Sequence, residues 1–548
     1  MILIALTLLL VGALDPTPPV RSVRLEAGHT QSAPADGARA PELPRATVAV
    51  PPVTVTGRTI RVAADGNLQE AIDNARGGDL IALEPGATYR GPFSLPRKDG
   101  DGWVVIASAA ADLPQPGRHV SPAHRSKMAK LVSASGTVVR AAPGAHHYRF
   151  VGLEIAPADG EYLNTLIELG DDARGVEALP HHLIFDRCYI HGDAARGARR
   201  GIGMNARHVA VVDSYLSDFK EQGADTQAIA AWNGDGPFRI ASNYLEAAGE
   251  NIMFGGADPA IPNLVPADIE IVRNHFAKPL RWKSGHPGFE GTEWAIKNLL
   301  ELKNARRVLI DGNLFEYNWP QAQNGFAILF TVRNQDGGAP WSTIEDVTFS
   351  NNLVRHVAAG INILGRDDNN PSGQARRIAI RNNVFLDVGG QWSNGRLFQL
   401  LNGTSGVTIE RNTALQTGNI LSGGDGTPHT NFVFRNNIAP HNEDGINGSG
   451  TAPGTATIAK YFPGALVRGN VIVDGPSARY PADNFFPGTL DDVAPDFARK
   501  LHTRGRPAWR DVGADVAALE KALGGIAAVG LGTDAENAGA THASPGPR

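Results

Sequence analysis

Cysteine is nearly absent from this chain of 548 residues, which holds a single one, Cys188. One cysteine excludes an internal disulfide and any cysteine-based metal cluster, and in an apolar strand it is most often a small core residue. Neither sign of charge is in large excess, since the net charge is only −5. No basic stripe indicates a nucleic-acid partner. The motifs of zinc proteases, phosphate-binding loops, dinucleotide-binding folds and serine hydrolases do not occur in context. The common enzyme signatures therefore do not apply.

Long hydrophobic runs are missing as well, apart from the apolar start at residues 1–14. This start is shorter than the roughly 20 apolar residues of a membrane span and has the length of a secretory signal peptide, although it lacks a basic first region. We expect export to the periplasm or the medium, and the alternative is a frayed apolar terminus. Residues 15–55, rich in proline and alanine, predict a linker or a disordered segment.

Glycine is abundant, with 63 residues, and asparagine is dense in the middle of the chain, which favours short strands joined by tight turns. A short apolar strand followed by a small polar residue, the anchor, recurs along this part of the chain. The anchors are Cys188, Ser214, Asn243, Asn274, Asn313, Asn352, Asn383, Asn412, Asn437 and Asn470. Their spacings of 25 to 39 residues fall in the range of solenoid repeats. Asparagine suits such a bend because it tolerates left-handed backbone, and stacked asparagines can form an amide ladder.

These repeats predict an all-β fold, a right-handed parallel β-helix solenoid over residues 56–480. Helical repeats have a similar period, but here the runs are short, β-branched and interrupted by glycine and asparagine. A β-propeller would need four strands in each unit. Residues 481–548 predict a C-terminal cap and a disordered tail, with helical or irregular elements at 493–500 and 515–523.

The stretch 66–78 predicts a short helix with Leu68, Ala71 and Ile72 on one face, which would cap the open N-terminal end of the solenoid. The run from Asn67 to Leu83, followed by the anchored units, resembles the N-terminal cap and the rungs of the pectate-lyase-like superfamily. The resemblance covers roughly residues 60–475 and implies a right-handed parallel β-helix. That superfamily includes uronate lyases, polysaccharide hydrolases, epimerases and non-catalytic tail or adhesin proteins, so the resemblance does not choose a reaction.

A second strand follows each anchor after a loop of variable length. When these strands are aligned, one polar residue per coil falls in a column that contains Asp258, Lys303, Arg333, Arg366, Asn402 and Asp425. A neighbouring outward position contains Glu301, Thr331 and Gln399. Equivalent positions of successive coils lie about 4.8 Å apart, and alternation directs Leu300 and Leu302 inward. Three cations on successive coils predict an anionic polymer above them.

We therefore expect a lyase that cleaves a uronic-acid-containing polysaccharide by β-elimination, which needs a neutralised carboxylate, a base and a proton donor. Lys303 is the candidate base, since neighbouring cations disfavour a protonated lysine. Arg333 would clamp the carboxylate or assist the leaving group, and Glu301 would orient Lys303. The candidate substrate-binding residues are Arg366, Asn402, Gln399, Trp319 and Trp341. A calcium ion, which takes oxygen ligands, would be held by Asp258, Asp367 and Asp368.

Two other functions stay open. A polygalacturonase-like hydrolase would draw a pair of carboxylates, about 6.5–9.5 Å apart, from Asp258, Asp336, Asp367 and Asp368. A non-catalytic polysaccharide-binding or surface protein would need neither a base nor an acid. In that case Glu301 and Lys303 form a solvated ion pair and the aspartates are turn formers. In each case the expected partner is a polysaccharide bound by a monomer, with no nucleic acid and no membrane span.

Aromatic and histidine residues complete the set of candidates. The tryptophans near the same coils would stack on sugar rings or cover a hydrophobic edge, and they are Trp282, Trp294, Trp319, Trp341 and Trp392. The pairs His146–His147 and His181–His182 are predicted to be structural, because neighbours on a strand point to opposite faces and would not share a metal.

Overall fold

The computed structural model describes residues 39–110, 112–493, 511–524 and 526. The candidate signal peptide, the linker up to residue 38, the tail from residue 527 and nearly all of the element predicted at 493–500 lie outside these residues. Within the described ranges, no helix combines the length and the apolar character that a bilayer crossing requires.

Short strands in the described part stack in three parallel sheets, which we name A, B and C. Sheet A has fourteen strands: Thr59–Val62, Leu80–Leu83, Val104–Ser108, His146–Val151, His181–Asp186, Arg207–Val212, Phe238–Ala241, Ala267–Val272, Ala305–Asp311, Ile344–Ser350, Arg376–Arg381, Ser405–Glu410, Val433–Arg435 and Leu466–Arg468. Sheet B has thirteen: Thr88–Arg90, Ala129–Ser133, Leu153–Pro157, Tyr189–His191, Tyr215–Phe219, Tyr244–Ala247, His275–Ala277, Leu314–Asn318, Leu353–Val357, Val384–Val388, Thr413–Gln416, Ile438–Pro440 and Val471–Val473. Sheet C has twelve: Phe93–Leu95, Val139–Ala141, Thr165–Leu169, Arg200–Met204, Gln227–Ala231, Glu250–Phe254, Leu300–Leu302, Phe326–Thr331, Ala359–Leu364, Phe398–Leu401, Leu421–Gly424 and Ile446–Gly448.

Each coil runs from sheet A through the anchor to sheet B, and then through a loop to sheet C. Neighbouring strands pair in parallel, so the chain winds as a right-handed parallel β-helix, and the predicted fold is confirmed. Alternate side chains point inward and form one continuous core along the axis, as Val308 and Ile310 do in sheet A. Aromatic rings stack between coils in this core, with 4.4 Å between the ring centroids of Phe276 and Phe315.

The predicted amide ladder exists and occupies the bend between sheets A and B. From Asn243 to Asn484, each asparagine Oδ1 accepts the backbone N–H of the anchor one coil earlier, at 2.8–3.0 Å. The left-handed residue is not the anchor, as the sequence suggested, but the residue before it, such as Asn351 with φ of 54°. The anchor is therefore selected by its amide, because its side chain satisfies buried backbone groups of the neighbouring coil.

Helices lie at the margins of the solenoid. Helix α1, Leu68–Asn74, begins at the N-cap Asn67, whose Oδ1 accepts the N–H of Glu70, and it buries the three predicted apolar residues. Helix α2 spans Thr455–Tyr461 and packs against sheet C, and helix α3 spans Val516–Leu523. The 3-10 helices are Pro122–Lys127, Val176–Ala178, Leu280–Trp282, Ser477–Arg479 and Leu490–Asp492.

Helix α3 matches the helix predicted at 515–523 but does not close the end of the solenoid. Its residues Leu519 and Leu523 pack against Leu314 and Leu353, which lie on the outer side of sheet B. Since these partners belong to the middle coils, the C-terminal segment runs back along the side of the solenoid.

Residues 39–57, which we call the N-terminal strap, lie along the outer face of sheet A. The N–H of Glu42 donates to Asp346, and the N–H of Arg45 donates to Asp268. Val48 is 4% exposed among apolar side chains of sheet A, and the carbonyl of Pro51 accepts a hydrogen bond from Arg149. These contacts lie within residues 15–55, the segment for which the sequence predicts a linker.

Candidate functional site

A cleft between sheets B and C is lined by tryptophans. Trp282, Trp294, Trp319 and Trp392 form one buried cluster and surround a cavity of about 270 Å³. Polar groups share the lining, namely Lys283, Ser284, Glu293 and Gln321. The four rings come from the loops that join sheet B to sheet C in three coils, including the long loop 278–299. Four of the five tryptophans that the sequence singled out therefore meet.

Charged groups fix the back of this cleft. The Nζ atom of Lys220 lies 5.4 Å and 5.1 Å from the ring centroids of Trp282 and Trp294. The same ammonium group donates to the carbonyl of Ala194 at 2.8 Å and lies 3.4 Å from Glu290. The Trp294 indole N–H donates to Glu290 at 2.7 Å. These contacts hold both rings in place, as cation–π and hydrogen-bonded contacts do.

One donor in the cleft has no partner among the described residues. The indole Nε1 of Trp282 is buried and makes no hydrogen bond there. A buried N–H without an acceptor costs about 1–3 kcal/mol. A ligand hydroxyl or a water molecule that accepts from this N–H would remove that cost.

A compact polar cluster on sheet C surrounds Glu301. Its Oε2 accepts from Asn298 Nδ2 at 3.0 Å, its Oε1 accepts from Thr331 Oγ1 at 3.0 Å, and Lys303 Nζ lies 3.8 Å from Oε1. The side chain of Glu301 is 3% exposed and that of Lys303 is 14% exposed. Leu300 and Leu302 are fully buried, as alternation predicts, so the carboxylate and the ammonium group face outward together.

The tryptophan cleft and the Glu301 cluster are continuous. Gln321, which lines the cleft, accepts the backbone N–H of Ile296 at 3.0 Å. Two residues further along each segment, Asn298 donates to Gln323 at 3.2 Å and to Glu301 at 3.0 Å. Hydrogen bonds therefore join the wall of the cleft to the Glu301 cluster.

A second buried pair lies beside Glu301, and sequence reasoning missed it. Glu250 is fully buried, accepts from Gln227 Nε2 at 2.8 Å and lies 3.4 Å from Lys297 Nζ. Burial raises the pKa of Glu250, the Glu301 carboxylate raises it further, and Lys297 opposes both. Glu250 begins its strand of sheet C and Lys297 lies just before the next one. A search for polar residues at this loop-to-strand boundary would have found them.

Arg333 and the aspartates form a separate group beyond the end of sheet C. Arg333 Nη1 contacts Asp368 and donates to Asp367 at 2.8 Å. Asp367 also accepts the backbone N–H groups of Asn334 and Asn369, at 2.8 Å and 3.0 Å. Burial raises the pKa of Asp367, but these three donors outweigh burial and lower it.

The remaining predicted aspartates shape turns. Asp258 accepts the N–H groups of Asp336 and Gly338, at 3.2 Å and 2.7 Å, and thereby holds the loop after sheet C. Asp425 is an exposed left-handed residue before Gly426. Among the described residues, Asp258, Asp367 and Asp368 do not bring three carboxylates within 4.8 Å of one another.

The predicted column of cations has a different register in the structure. Glu301 pairs with Leu329 and not with Thr331, which pairs with Leu364 of the next coil. Lys303 follows Leu302, the partner of Phe330, and so lies two positions before Arg333 along the sheet direction. The alignment failed because Lys303 directly follows Leu302, whereas two residues, Thr331 and Val332, separate Arg333 from Phe330, the partner of Leu302.

The candidate substrate-binding residues are divided between two places. Trp319 lies in the cleft, whereas Trp341 donates to the carbonyl of Leu264 at 3.0 Å in a loop between sheets C and A. Arg366 is exposed, and its carbonyl accepts from Asn402 at 3.0 Å. Gln399, at 2.8 Å from Arg396 Nη1, lies in the same outward row of sheet C as Glu301.

Comparison with known proteins shows no family for this chain. No family model matches the chain, and no curated protein matches it. The catalytic unit of a GH87 α-1,3-glucanase from Streptomyces thermodiastaticus is 13% identical, with a TM-score of 0.49 over 78% of this chain and 70% of that chain. A mannuronic-acid-specific polysaccharide family 6 lyase from human gut microbiota is 12% identical, with a TM-score of 0.43 over 85% and 98%. A surface adhesin of Streptococcus pneumoniae is 11% identical, with a TM-score of 0.41 over 70% and 86%.

Proposed function

We propose that this protein acts on a polysaccharide, which binds with sugar rings in the tryptophan cleft and continues over sheet C. The observation that carries this proposal is the continuity between the cleft and the Glu301 cluster through Asn298 and Gln323. Flat indole rings stack on the apolar faces of sugars, and the polar groups around them can bind hydroxyl groups. A secreted protein would meet such a polymer outside the cell.

The reaction that these residues support best is β-elimination on a uronic-acid polymer. Lys303 takes the proton α to the uronate carboxylate, the electron pair forms a carbon–carbon double bond, and the glycosidic carbon–oxygen bond breaks. Glu301, held by Asn298 and Thr331, orients the Lys303 ammonium group between turnovers. The leaving oxygen takes a proton from water, and Lys303 returns the proton that it has taken to the solvent.

The substrate carboxylates would meet Arg333 and Arg366. Both contacts of Arg333 with Asp367 and Asp368 involve Nη1, so a uronate would approach the guanidinium group from Nε or Nη2. Arg366 is exposed on the following coil. Opposite charge at this position lowers the cost of the carbanion that forms next to the carboxylate.

A binding protein without catalysis is the second candidate, and one observation favours it. Arg333 already pairs with two carboxylates, and a neutralised guanidinium group polarises a substrate less than a free one. The paired-carboxylate hydrolase has weaker support, because Asp258 and Asp367 accept backbone N–H groups that fix them as turn residues.

One screen separates these functions. The protein is incubated with pectate, alginate, glycosaminoglycans and neutral glycans, with calcium and with a chelator. A lyase produces an unsaturated, ultraviolet-absorbing end group, a hydrolase produces reducing ends without that absorbance, and a binding protein retains polymer without releasing product. We expect the first outcome.

The variant Lys303→Ala tests the assignment of the base, and the chain offers a matched control. Lys130 is 16% exposed and lies 3.6 Å from the buried Glu154, much as Lys303 is 14% exposed and lies 3.8 Å from the buried Glu301. Loss of a general base lowers turnover by about 10²–10⁴-fold. We expect that loss for Lys303→Ala, a loss for Arg333→Ala, and none for Lys130→Ala. Unchanged turnover in Lys303→Ala rejects the assignment.

A further inference from the structure

Five histidines form a ladder on the outer side of sheet A, far along the chain from the tryptophan cleft. The ladder consists of His146, His147, His181, His182 and His208, at the starts of three successive strands. The rings of equivalent residues stack face to face, with centroid separations of 4.4–4.7 Å and interplanar angles of 4–7°. This arrangement follows from the parallel register, which pairs His146 with His181.

Neighbouring histidines point to the same side, contrary to the prediction from strand alternation. His147, His182 and His208 have φ values of 58°, 54° and 52°, in the left-handed region. One left-handed residue in an extended strand rotates its side chain away from the alternating pattern. Each adjacent pair therefore converges, and the Nδ1 atoms are 2.9 Å apart in the first pair and 2.7 Å apart in the second.

Three of these side chains bring their ligand atoms together as a metal site requires. One ring nitrogen from each of His146, His147 and His181 lies within 4.8 Å of the other two. His146 and His147 are 8% exposed, and His181 is partly exposed, which leaves a route for an ion from solvent. Nearby, the Nδ1 atom of His208 is buried and has no hydrogen-bond partner among the described residues.

We propose that His146, His147 and His181 bind one divalent transition-metal ion of the class that prefers imidazole, with Zn²⁺ as the representative. Zinc binds imidazole nitrogen at about 2.0–2.1 Å, so ligand atoms around a tetrahedral ion lie about 3.3 Å apart. The Nδ1 atoms of His146 and His147 must separate by about half an ångström to reach that spacing. One ring of this pair carries its proton on Nδ1 and donates it to the other Nδ1. When that ring changes tautomer and its proton moves to Nε2, both Nδ1 lone pairs are left for the ion without net release of a proton.

The surroundings favour a cation over protonated rings. Burial, and after it the neighbouring imidazoles, lower the pKa of His147 and of His181 to about 4. Neutral imidazole is the form that ligates a metal. The Asp101 carboxylate acts on His147 with the opposite sign and would attract a cation. The positive charge of Arg207 lowers the pKa of His181, but Arg207 is itself paired with the Asp235 carboxylate at 3.2 Å.

The test uses the full chain without a histidine tag, treated with chelator and dialysed, and titrated with ZnCl₂ in a calorimeter. We expect one equivalent to bind and to raise the melting temperature, since a ligand selective for the folded state stabilises it. With Co²⁺ as a second probe, we expect the visible absorption of a tetrahedral nitrogen site. A folded wild-type protein that takes up neither ion overturns the proposal.

Two variants and one control locate the site. Loss of an outer-shell partner already weakens metal binding by about tenfold, so loss of a ligand in His147→Asn or His181→Gln should weaken it at least as much. Asparagine tolerates the left-handed backbone of His147. The matched control is His356→Asn, because His356 has a φ of 56° but stacks on Tyr317, away from the ladder. If His147→Asn does not fold, His181→Gln decides. Equal affinity in that variant and wild type, or an equal loss in the control, refutes the assignment, whatever the outcome of the polysaccharide screen.

Discussion

The asparagine ladder makes a quantitative prediction at Asn352, in the middle of the solenoid. Its Oδ1 accepts the backbone N–H and the side-chain N–H of Asn313, both at 2.9 Å. Its Nδ2 donates to Ile310 O at 3.0 Å and to Asn383 Oδ1 at 3.1 Å. Asn352 is fully buried. Replacing Asn352 by alanine leaves two buried N–H groups of Asn313 without an acceptor in a place that water does not reach.

Each buried donor left unsatisfied costs about 1–3 kcal/mol, so Asn352→Ala should lower the free energy of unfolding by about 4 kcal/mol. Replacing Asn352 by serine should lower the free energy of unfolding by less, because Ser214 already occupies one position of the ladder. Its Oγ accepts the N–H of Cys188 at 3.0 Å and donates to Val212 O at 2.9 Å. A serine at position 352 would satisfy the backbone N–H of Asn313 and leave only the amide N–H, so we expect a loss of about 2 kcal/mol.

Urea-induced unfolding followed by circular dichroism measures both losses, as the shift in midpoint multiplied by the shared slope. The slopes must agree among wild type and both variants, since a changed slope would indicate a changed unfolding unit. A loss below about 1 kcal/mol for alanine, or equal losses for alanine and serine, would refute the view that the ladder stabilises the coils by satisfying buried donors.

Three further predictions concern acid stability, binding and the strap. Burial would raise the pKa of Glu316, but hydrogen bonds from His275 and Arg355 lower it to about 2, so its stabilisation is present above pH 4.5 and is lost as the pH falls towards 2. Glu316→Gln should therefore lower stability at pH 7 by roughly 3 kcal/mol and flatten the acid limb of the stability curve, and an unchanged acid limb would contradict this. Trp319→Ala should raise the dissociation constant for polysaccharide, measured by affinity electrophoresis, at least about tenfold, because one stacked ring is lost. The circular dichroism spectrum should stay unchanged. Removal of the chain up to residue 50 should lower the melting temperature by a few degrees, because Val48 loses its apolar contacts, and an unaltered melting temperature would show that the strap contributes nothing.

The fold could be predicted because an anchor recurs once in each coil and so gives the period of the repeat. All ten anchor positions from Cys188 to Asn470 occupy the bend between sheets A and B, and the ladder continues one step further, to Asn484. Each anchor satisfies a backbone group of the neighbouring coil, and that requirement admits few residue types. Helix α1 was predictable for a similar reason, since Asn67 caps it and three apolar residues define its buried face.

The candidate site was predictable only in part, because the positions of its residues depend on which loop of each coil is long. The anchors fix the length of a coil but do not show at which corner the extra residues lie. In the coil after Asn274 they lie in the loop 278–299, between sheets B and C, and in the coil after Asn313 they lie in the loop 332–343, between sheets C and A. Trp294 therefore reaches the cleft and Trp341 does not.

The histidine ladder shows a second limit. Alternation along a strand predicts opposite faces for His146 and His147, and it fails because His147 has left-handed backbone. Histidine adopts that conformation more readily than most residues, but nothing in the local sequence requires it. Left-handed backbone recurs at the equivalent position of later sheet A strands, at Asp268, Arg307, Asp346 and Arg377. The conformation is therefore a feature of the coil, which a single strand does not reveal.

The N-terminal strap gives the solenoid a property that repeats alone lack. Coils in a solenoid contact only their neighbours, so a coil can be gained or lost with little effect on the others. Here Glu42 is tied to Asp346, 304 residues away along the chain, while Arg45 is tied to Asp268. An inserted or deleted coil between these aspartates would move one of them by about 4.8 Å and break the match. The contacts of the strap therefore fit only one number of coils between Asp268 and Asp346. This part of the solenoid should resist the duplication and loss of repeats by which such folds change length.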